Sequence, residues 1–107
     1  MIAVIFEVDL DPKAGQRYFD LAAALREELQ TIDGFLSVER FKSMTTENRY
    51  VSLSFWRDRA AVDAWYRRPR HKSAQDEGRS AIFRDYRIRV AEVFRDYDLA
   101  AGRPPVA

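Results

Sequence analysis

The chain has 107 residues and a formal net charge of +1, from 18 basic and 17 acidic side chains, and it contains no cysteine. This length fits one domain, and the balanced charge argues against nucleic-acid binding through a general basic field. The lack of cysteine excludes disulfides, thiolate catalysis and cysteine-based zinc sites. No apolar run approaches the roughly 20 residues that span a bilayer, and no signal-peptide pattern opens the chain. We therefore expect no membrane association and a cytoplasmic location.

The first third predicts a strand and then a helix. Residues 2–10 alternate, and their apolar face should meet the core: Ile2, Val4, Phe6 and Val8. Asp11 is suited to cap a helix, with Pro12 at its first position. The helix should run to about Thr31, with this apolar stripe: Tyr18, Leu21, Ala22, Leu25, Leu29 and Ile32. Gly34 then closes it by taking a positive φ.

The middle of the chain predicts a β-hairpin. Two strands, Phe35–Met44 and Arg49–Trp56, flank the turn-like segment Thr45–Asn48. In the second of these strands, three apolar side chains alternate with two serines and an indole: Val51, Leu53 and Phe55 against Ser52, Ser54 and Trp56. One face of this strand is therefore apolar, and the other is small and polar until the tryptophan.

The last third predicts a second helix and a long final strand. Asp58 is suited to cap the helix, and Pro69 should end or kink it. The apolar stripe of this helix is Ala61, Val62, Trp65 and Tyr66. A short helical piece is predicted over His71–Glu77, and alternation predicts the final strand within residues 81–97.

The order strand-helix-strand-strand-helix-strand is the split β-α-β pattern of a ferredoxin-like α+β fold. Such a domain forms a four-stranded antiparallel sheet with both helices on one face, so the other face needs cover. A symmetric dimer is the simplest cover, and the long last strand could reach the second subunit. We expect one domain over residues 1–97 and a flexible tail over residues 98–107, which contains Gly-Arg-Pro-Pro.

Three segments, in order and spacing, resemble the antibiotic biosynthesis monooxygenase superfamily over roughly residues 1–97. They are Ser52-Leu53-Ser54-Phe55-Trp56-Arg57-Asp58 with Ala61-Val62 and Trp65, then His71-Lys72-x-Ala74-Gln75-x-x-Gly78-Arg79, and then Phe83-x-x-Tyr86-x-Ile88-x-Val90. The resemblance implies a homodimeric α+β barrel with a pocket between helices and sheet in each subunit. It also implies that some members oxidise polycyclic phenols or quinols with oxygen and no cofactor.

Trp65 and His71 are the candidate catalytic residues. Trp65 either packs in the core or forms one wall of a flat aromatic pocket, where an indole can stack and donate one N–H. His71 is the only histidine, and its side chain titrates near neutrality. It could remove a phenolic proton as general base, or it could be an exposed residue of a basic run. That run is either a solvated helix end or a mouth that attracts an anionic substrate: Arg67, Arg68, Arg70, His71 and Lys72.

Six further residues are candidates for the substrate pocket: Phe6, Arg40, Ser52, Trp56, Arg79 and Tyr86. The alternatives are structural. Trp56 ends a strand beside a helix cap, Tyr86 alternates with core residues and should have a buried hydroxyl partner, and Arg40 could form a cross-strand or subunit salt bridge. We predict no metal site, because a single histidine cannot supply a two-histidine ligand set.

The haem-degrading branch of the family can be compared residue by residue. The resemblance implies an asparagine on the first strand, a tryptophan on the second helix and an iron-binding histidine after it. Trp65 matches the tryptophan, but Phe6 stands at about the asparagine position and Gln75 at about the histidine position. His71 lies four residues before Gln75, about one helical turn away.

The resemblance therefore favours a cofactor-independent monooxygenase-like enzyme that acts on a small aromatic or quinone-type substrate with O2. Two alternatives stay open. One is a non-catalytic, ligand-binding or stress-associated dimer that uses the same pocket. The other is a haem-binding or haem-degrading monooxygenase.

Overall fold

The polypeptide forms one antiparallel sheet with two helices, as a computed structural model shows for residues 1–69, 72, 76–77 and 82–105. The elements are β1 (Ile2–Leu10), α1 (Gly15–Leu29), β2 (Phe35–Lys42), β3 (Arg49–Trp56), α2 (Arg59–Tyr66) and β4 (Phe83–Glu92). The strand order is β2-β3-β1-β4, and every neighbouring pair is antiparallel. This confirms the predicted ferredoxin-like α+β fold. Within the described ranges, no helix has the length and apolar character needed to cross a membrane.

The core lies between the sheet and the helices in two clusters, one near each end of β1. At the start of β1, a cluster joins the sheet to both helices: Ile2, Leu29, Ile32, Trp56 and Ala61. At its end, a second cluster surrounds the fully buried Val8: Val8, Leu10, Tyr18 and Ile82. The predicted core face of β1 is confirmed, because Ile2 and Val8 are both buried and the intervening Val4 and Phe6 pack against these clusters.

The prediction that Asp11 caps α1 is wrong. The helix begins at Gly15, and its N-cap residue is Ala14, which makes no side-chain cap. A carboxylate oxygen of Asp11 instead accepts the Lys13 N–H at 2.9 Å, and the Ala14 N–H donates to the Asp11 carbonyl at 2.9 Å. These bonds close a β-turn, and a proline in second place suits a β-turn as well as it suits a helix start. Gly34 does take the predicted positive φ, at 91°.

Two strands end earlier than their alternation suggests. β2 ends at Lys42, because the hydroxyl of Ser43 accepts the Thr46 N–H at 3.0 Å and starts the turn. β4 ends at Glu92, which pairs with Ile2. The next residue, Val93, donates its N–H to the carbonyl of Met1, just before the start of β1 at Ile2.

The second helix starts as predicted. A carboxylate oxygen of Asp58 accepts the Ala61 N–H at 2.9 Å, and the helix ends at Tyr66, before Pro69. This cap directs α2 across the sheet and fixes where Trp65 projects. Most of the helical piece predicted over His71–Glu77 lies outside the described residues.

The sheet face away from the helices carries the apolar side of β3. Ile5 of β1 is in register with Leu53, which is flanked on its own strand by Val51 and Phe55. Phe41 of β2, opposite Val51, is 47% exposed. This helix-free face also carries ion pairs, described below.

Gly34 is the tightest backbone position between α1 and α2, and we expect Gly34→Ala to destabilise the fold. A methyl group there would lie 2.8 Å from the Cβ of Ala61, at a φ of 91° that disfavours alanine. The free energy of unfolding should fall by about 1–3 kcal/mol, measured by urea denaturation. Gly15→Ala is the matched control, because nothing lies within 4 Å and the site is helical. It should be neutral or stabilising by up to about 1 kcal/mol, and equal losses in both variants would contradict the steric account.

Candidate functional site

A cavity of about 560 Å³ lies between the helices and the sheet, within the size range of small-molecule sites. It occupies the middle of β1, between the two core clusters, where Val4 and Phe6 form part of its floor. Its lining is mainly apolar, with polar groups on β2 and β3 and, at the exposed border, on α1. A cavity of this kind can hold a largely apolar molecule and orient it through a small number of polar contacts.

The floor is ordered by strand register. One row of paired residues crosses all four strands: Arg40, Ser52, Phe6 and Ile88. The next row is Val38, Ser54, Val4 and Val90. In each row the β3 residue is a serine, and the residues of β1 and β4 are apolar. The two serines lie where larger side chains would fill the space, so their small size keeps the cavity open.

The walls come from the two helices. On α1, the cavity side of the predicted stripe supplies Leu21, Ala22, Leu25 and Leu29. The lining residues from α2 are Val62, Trp65 and Tyr66. Tyr18 and Phe83 close one end, with their rings 6.1 Å apart in an edge-on arrangement. Aromatic side chains therefore contribute to both the end and one wall of the cavity.

Trp56 is held rigidly at the other end of the floor. Its indole N–H donates to the hydroxyl of Ser54 at 2.9 Å, and its ring meets Phe35 edge-on at 5.2 Å. Only 1% of the residue is exposed. Because its one donor is already used by the protein, Trp56 offers the cavity an apolar surface.

Arg40 brings a positive charge to the cavity floor. Its Nε donates to the hydroxyl oxygen of Tyr18 at 3.2 Å, and its guanidinium carbon lies 5.1 Å from the centre of the same ring. These two contacts fix the guanidinium over the aromatic ring. The cross-strand salt bridge considered for Arg40 is not formed within the described part of the chain.

The structure brings five of the sequence-predicted residues to the cavity: Phe6, Arg40, Ser52, Trp56 and Trp65. Tyr86 is not part of the lining. It lies behind Phe6, with ring centres 6.0 Å apart, and also contacts Phe83. His71 and Arg79 lie outside the described residues.

Several lining residues are not among the pocket candidates named from the sequence, for example Tyr18, Val38, Phe83 and Ile88. The helical stripe identifies Tyr18 as inward-facing, and strand alternation does the same for Ile88. Neither pattern indicates that they border a cavity, because that depends on how the helices cross the sheet.

The shifted pKa values in the described ranges belong to groups outside the cavity lining. The pKa of Asp9 is lowered chiefly by its hydrogen bonds with Arg49, at 2.7 and 3.1 Å. The pKa of Asp58 is lowered first by Arg57 and then by the Ala61 N–H that it caps. The helix cap is therefore ionised at neutral pH. No group of three or more histidine, aspartate or glutamate side chains that could hold a metal ion occurs among the residues described.

A family model for antibiotic biosynthesis monooxygenases matches residues 1–77. A protein of Pyricularia oryzae named jasmonate monooxygenase is 41% identical over 93 residues, which is 87% of this chain and 43% of that protein. An uncharacterised Bacillus subtilis protein is 34% identical over 62 residues, 58% of this chain and 53% of that protein. The chain thus spans about half the length of the curated relatives it matches.

Solved structures bear out the fold. A Deinococcus radiodurans protein assigned to the antibiotic biosynthesis monooxygenases superposes with a TM-score of 0.82 at 13% identity, covering 92% of this chain and 98% of its own. At this identity the likeness concerns the fold alone.

The bond between Ser54 and Trp56 can be tested against a neighbouring serine. Ser54→Ala leaves the buried indole N–H without an acceptor, so the free energy of unfolding should fall by about 1–3 kcal/mol. Ser52→Ala is the matched control on the same strand face, because its hydroxyl makes no hydrogen bond with the described residues. It should change stability by less than about 0.5 kcal/mol. Denaturant unfolding of both variants checks this, and equal effects would refute the assigned role of Ser54.

Proposed function

This chain belongs to the antibiotic biosynthesis monooxygenase family, and we propose that it is a monooxygenase-like enzyme acting on a small aromatic or quinone-type molecule. O2 would be the co-substrate, and no cofactor would take part. The observation that carries the proposal is the mainly apolar cavity between helices and sheet, bordered by aromatic side chains on several sides. Family membership supports the reaction class, and the cavity is suited to a planar, apolar substrate.

In the proposed reaction, the substrate itself provides the electrons. Removal of a proton from a phenol or its keto form gives an electron-rich anion, and this anion reduces O2. One oxygen atom enters the substrate and the other leaves as water; anthrone and O2, for example, give anthraquinone and water. His71 is our proposed general base, and Trp65, which borders the cavity, is the proposed stacking surface.

The test is protein-dependent oxygen uptake with anthrone or a hydroquinone as substrate. We expect turnover by the wild type and a loss of about 10²–10⁴-fold in kcat for His71→Gln, the usual contribution of a general base. Trp65→Leu should raise KM by weakening stacking. Met44→Ala is the control, since Met44 is fully exposed in the β2–β3 loop. Absence of uptake, or full activity in His71→Gln, would overturn the catalytic proposal. Ligand binding without uptake would support the non-catalytic alternative.

Haem fits the cavity poorly. The haem-degrading branch calls for a hydrogen-bond donor at about position 6, and the Phe6 side chain there packs against Phe83 and Tyr86. Gln75, at about the position of the iron ligand, lies outside the described residues. We expect haemin added at micromolar concentration to show no shift of its Soret band. A shifted band that disappears in His71→Ala would instead establish haem binding.

The proposal includes a homodimer formed through the helix-free face of the sheet. Support comes from Ile5 and Leu53, which are in register at its centre, and from the half-exposed Phe41 near its edge. A second copy of the same face would bury these side chains. This would complete the α+β barrel implied by the family. The cytoplasmic location and the domain limits remain predictions.

Leu53→Glu should disrupt this dimer, because it would bring two carboxylates into the centre of the apolar contact. Light scattering after size-exclusion chromatography should give a dimer for the wild type and a monomer for the variant. Met44→Glu, with the same charge change at a fully exposed site, should stay dimeric. A monomeric wild type would refute the proposed assembly.

A further inference from the structure

Arg40 borders the cavity and is half-buried there without a carboxylate partner among the described residues, unlike the ion-paired Arg49 and Arg57. Arg49 binds Asp9 through two nitrogens, and Arg57 binds both Asp33 and Asp58. Arg40, although half-buried, pairs with no carboxylate within the described ranges. A partly desolvated cation without a counter-ion is costly unless an anion is bound during function.

The neighbouring acidic groups do not neutralise this charge. Glu39 precedes Arg40 on β2 and also borders the cavity, but it is in register with Leu53 on the opposite face and forms no ion pair with Arg40. Glu27 borders the cavity from the exposed side of α1 without pairing with Arg40. Arg40 is therefore a half-buried positive group on the floor of a mainly apolar cavity, whereas Arg26 at the border is exposed.

The geometry of Arg40 suits a carboxylate. Among the described residues, Arg40 uses only its Nε, in the bond to the hydroxyl of Tyr18, while the stack on the Tyr18 ring fixes the plane of the guanidinium. The two terminal nitrogens are thus available to bind two oxygens in parallel, as arginine does with carboxylates. Ser52, directly opposite in the strand pairing, adds a hydroxyl that makes no hydrogen bond within the described part of the chain.

We propose that Arg40, supported by Tyr18 and Ser52, anchors the carboxylate of a small and otherwise apolar substrate. The rest of that substrate would extend over Phe6 and Ile88, which continue the same row of the sheet, towards Trp65 on α2. This inference rests on the proposed function and narrows its substrate class to carboxylic acids. Arg40 then sets specificity and orientation, while the chemistry takes place at the far end of the molecule.

The experiment compares acids with neutral analogues by isothermal titration calorimetry at pH 7. One probe pair is 4-phenylbutyrate and 4-phenylbutan-1-ol; the other is jasmonic acid and methyl jasmonate, chosen because of the name of the Pyricularia relative. Wild-type protein should bind at least one acid about 10- to 100-fold more tightly than its neutral partner, the range expected for hydrogen bonds to a charged group. Equal affinity for acid and neutral partner in both pairs, or no binding of any probe, overturns the anchor.

Variants then assign the preference to Arg40. Arg40→Gln should remove the preference for the acid, whereas Arg26→Gln, which removes the same charge from an exposed cavity-bordering residue of α1, should preserve it within about threefold. A preference that survives in Arg40→Gln, or that is lost equally in Arg26→Gln, contradicts the proposal. If Arg40→Gln does not fold, Arg40→Lys takes its place. It should bind the acid about tenfold less tightly, because a lysine cannot form the paired contact, and unchanged affinity would again be contradictory.

Oxygen uptake in the presence of the same probes separates this inference from the proposed function. Selective, Arg40-dependent binding without oxygen uptake would uphold the anchor and refute the enzyme. Turnover of anthrone together with equal binding of acids and neutral analogues would uphold the enzyme and refute the anchor.

Discussion

The pairing of β1 with β3 on one side and β4 on the other is the constraint on which the rest of the structure depends. Because both pairings are antiparallel and in regular register over Ile2–Asp9, each residue of β1 determines which side chains of two neighbouring strands share its face. A shift by one residue would move Phe6 to the helix-free face and bring Ile5 to the helices. The cavity, the core clusters and the helix-free apolar face all follow from this one register.

Within that register, the cavity results from side-chain volume. Trp56 and Val8 fill the two ends of the helix-facing surface, where the sheet and helices are in full contact. Between them, β3 presents Ser52 and Ser54, which are too small to reach α1. Larger apolar side chains at these positions would add packing energy, and they would also fill the space. The domain therefore buries less apolar surface at its centre than it could, and the space left there is the cavity.

The sequence predicts the elements well where short-range pattern decides them, as with the alternation of β1 and β3 and the Asp58 cap. It fails where the same residues suit two local structures, and where a distant partner decides. Asp11 forms a turn although its neighbours also suit a helix start, and the alternation of β4 continues past Glu92 although its partner strand ends there. For the site, strand alternation places Phe6 on the core-facing side of β1, and helical spacing places Trp65 on the apolar stripe of α2. Arg40 is a pocket candidate in the sequence, but its contact with Tyr18 cannot be predicted from short-range pattern, because the two residues are 22 positions apart.

Within the described ranges, the charged groups beside Arg49 and Arg89 on one face of the sheet differ from those beside Arg40 on the other. On the helix-free face, Arg49 lies between Glu7 and Asp9, and Arg89 approaches Glu7, so positive charge there is matched within the sheet itself. On the helix-facing side, Arg40 has an aromatic ring and a hydroxyl in place of a carboxylate. A residue needed only for stability gains most from a permanent anion, since its desolvation is then offset at all times. On our proposal, Arg40, which is oriented by uncharged groups beside the cavity, forms its carboxylate pair with a ligand instead. This contrast, more than the aromatic content of the cavity, restricts what the site is suited to bind.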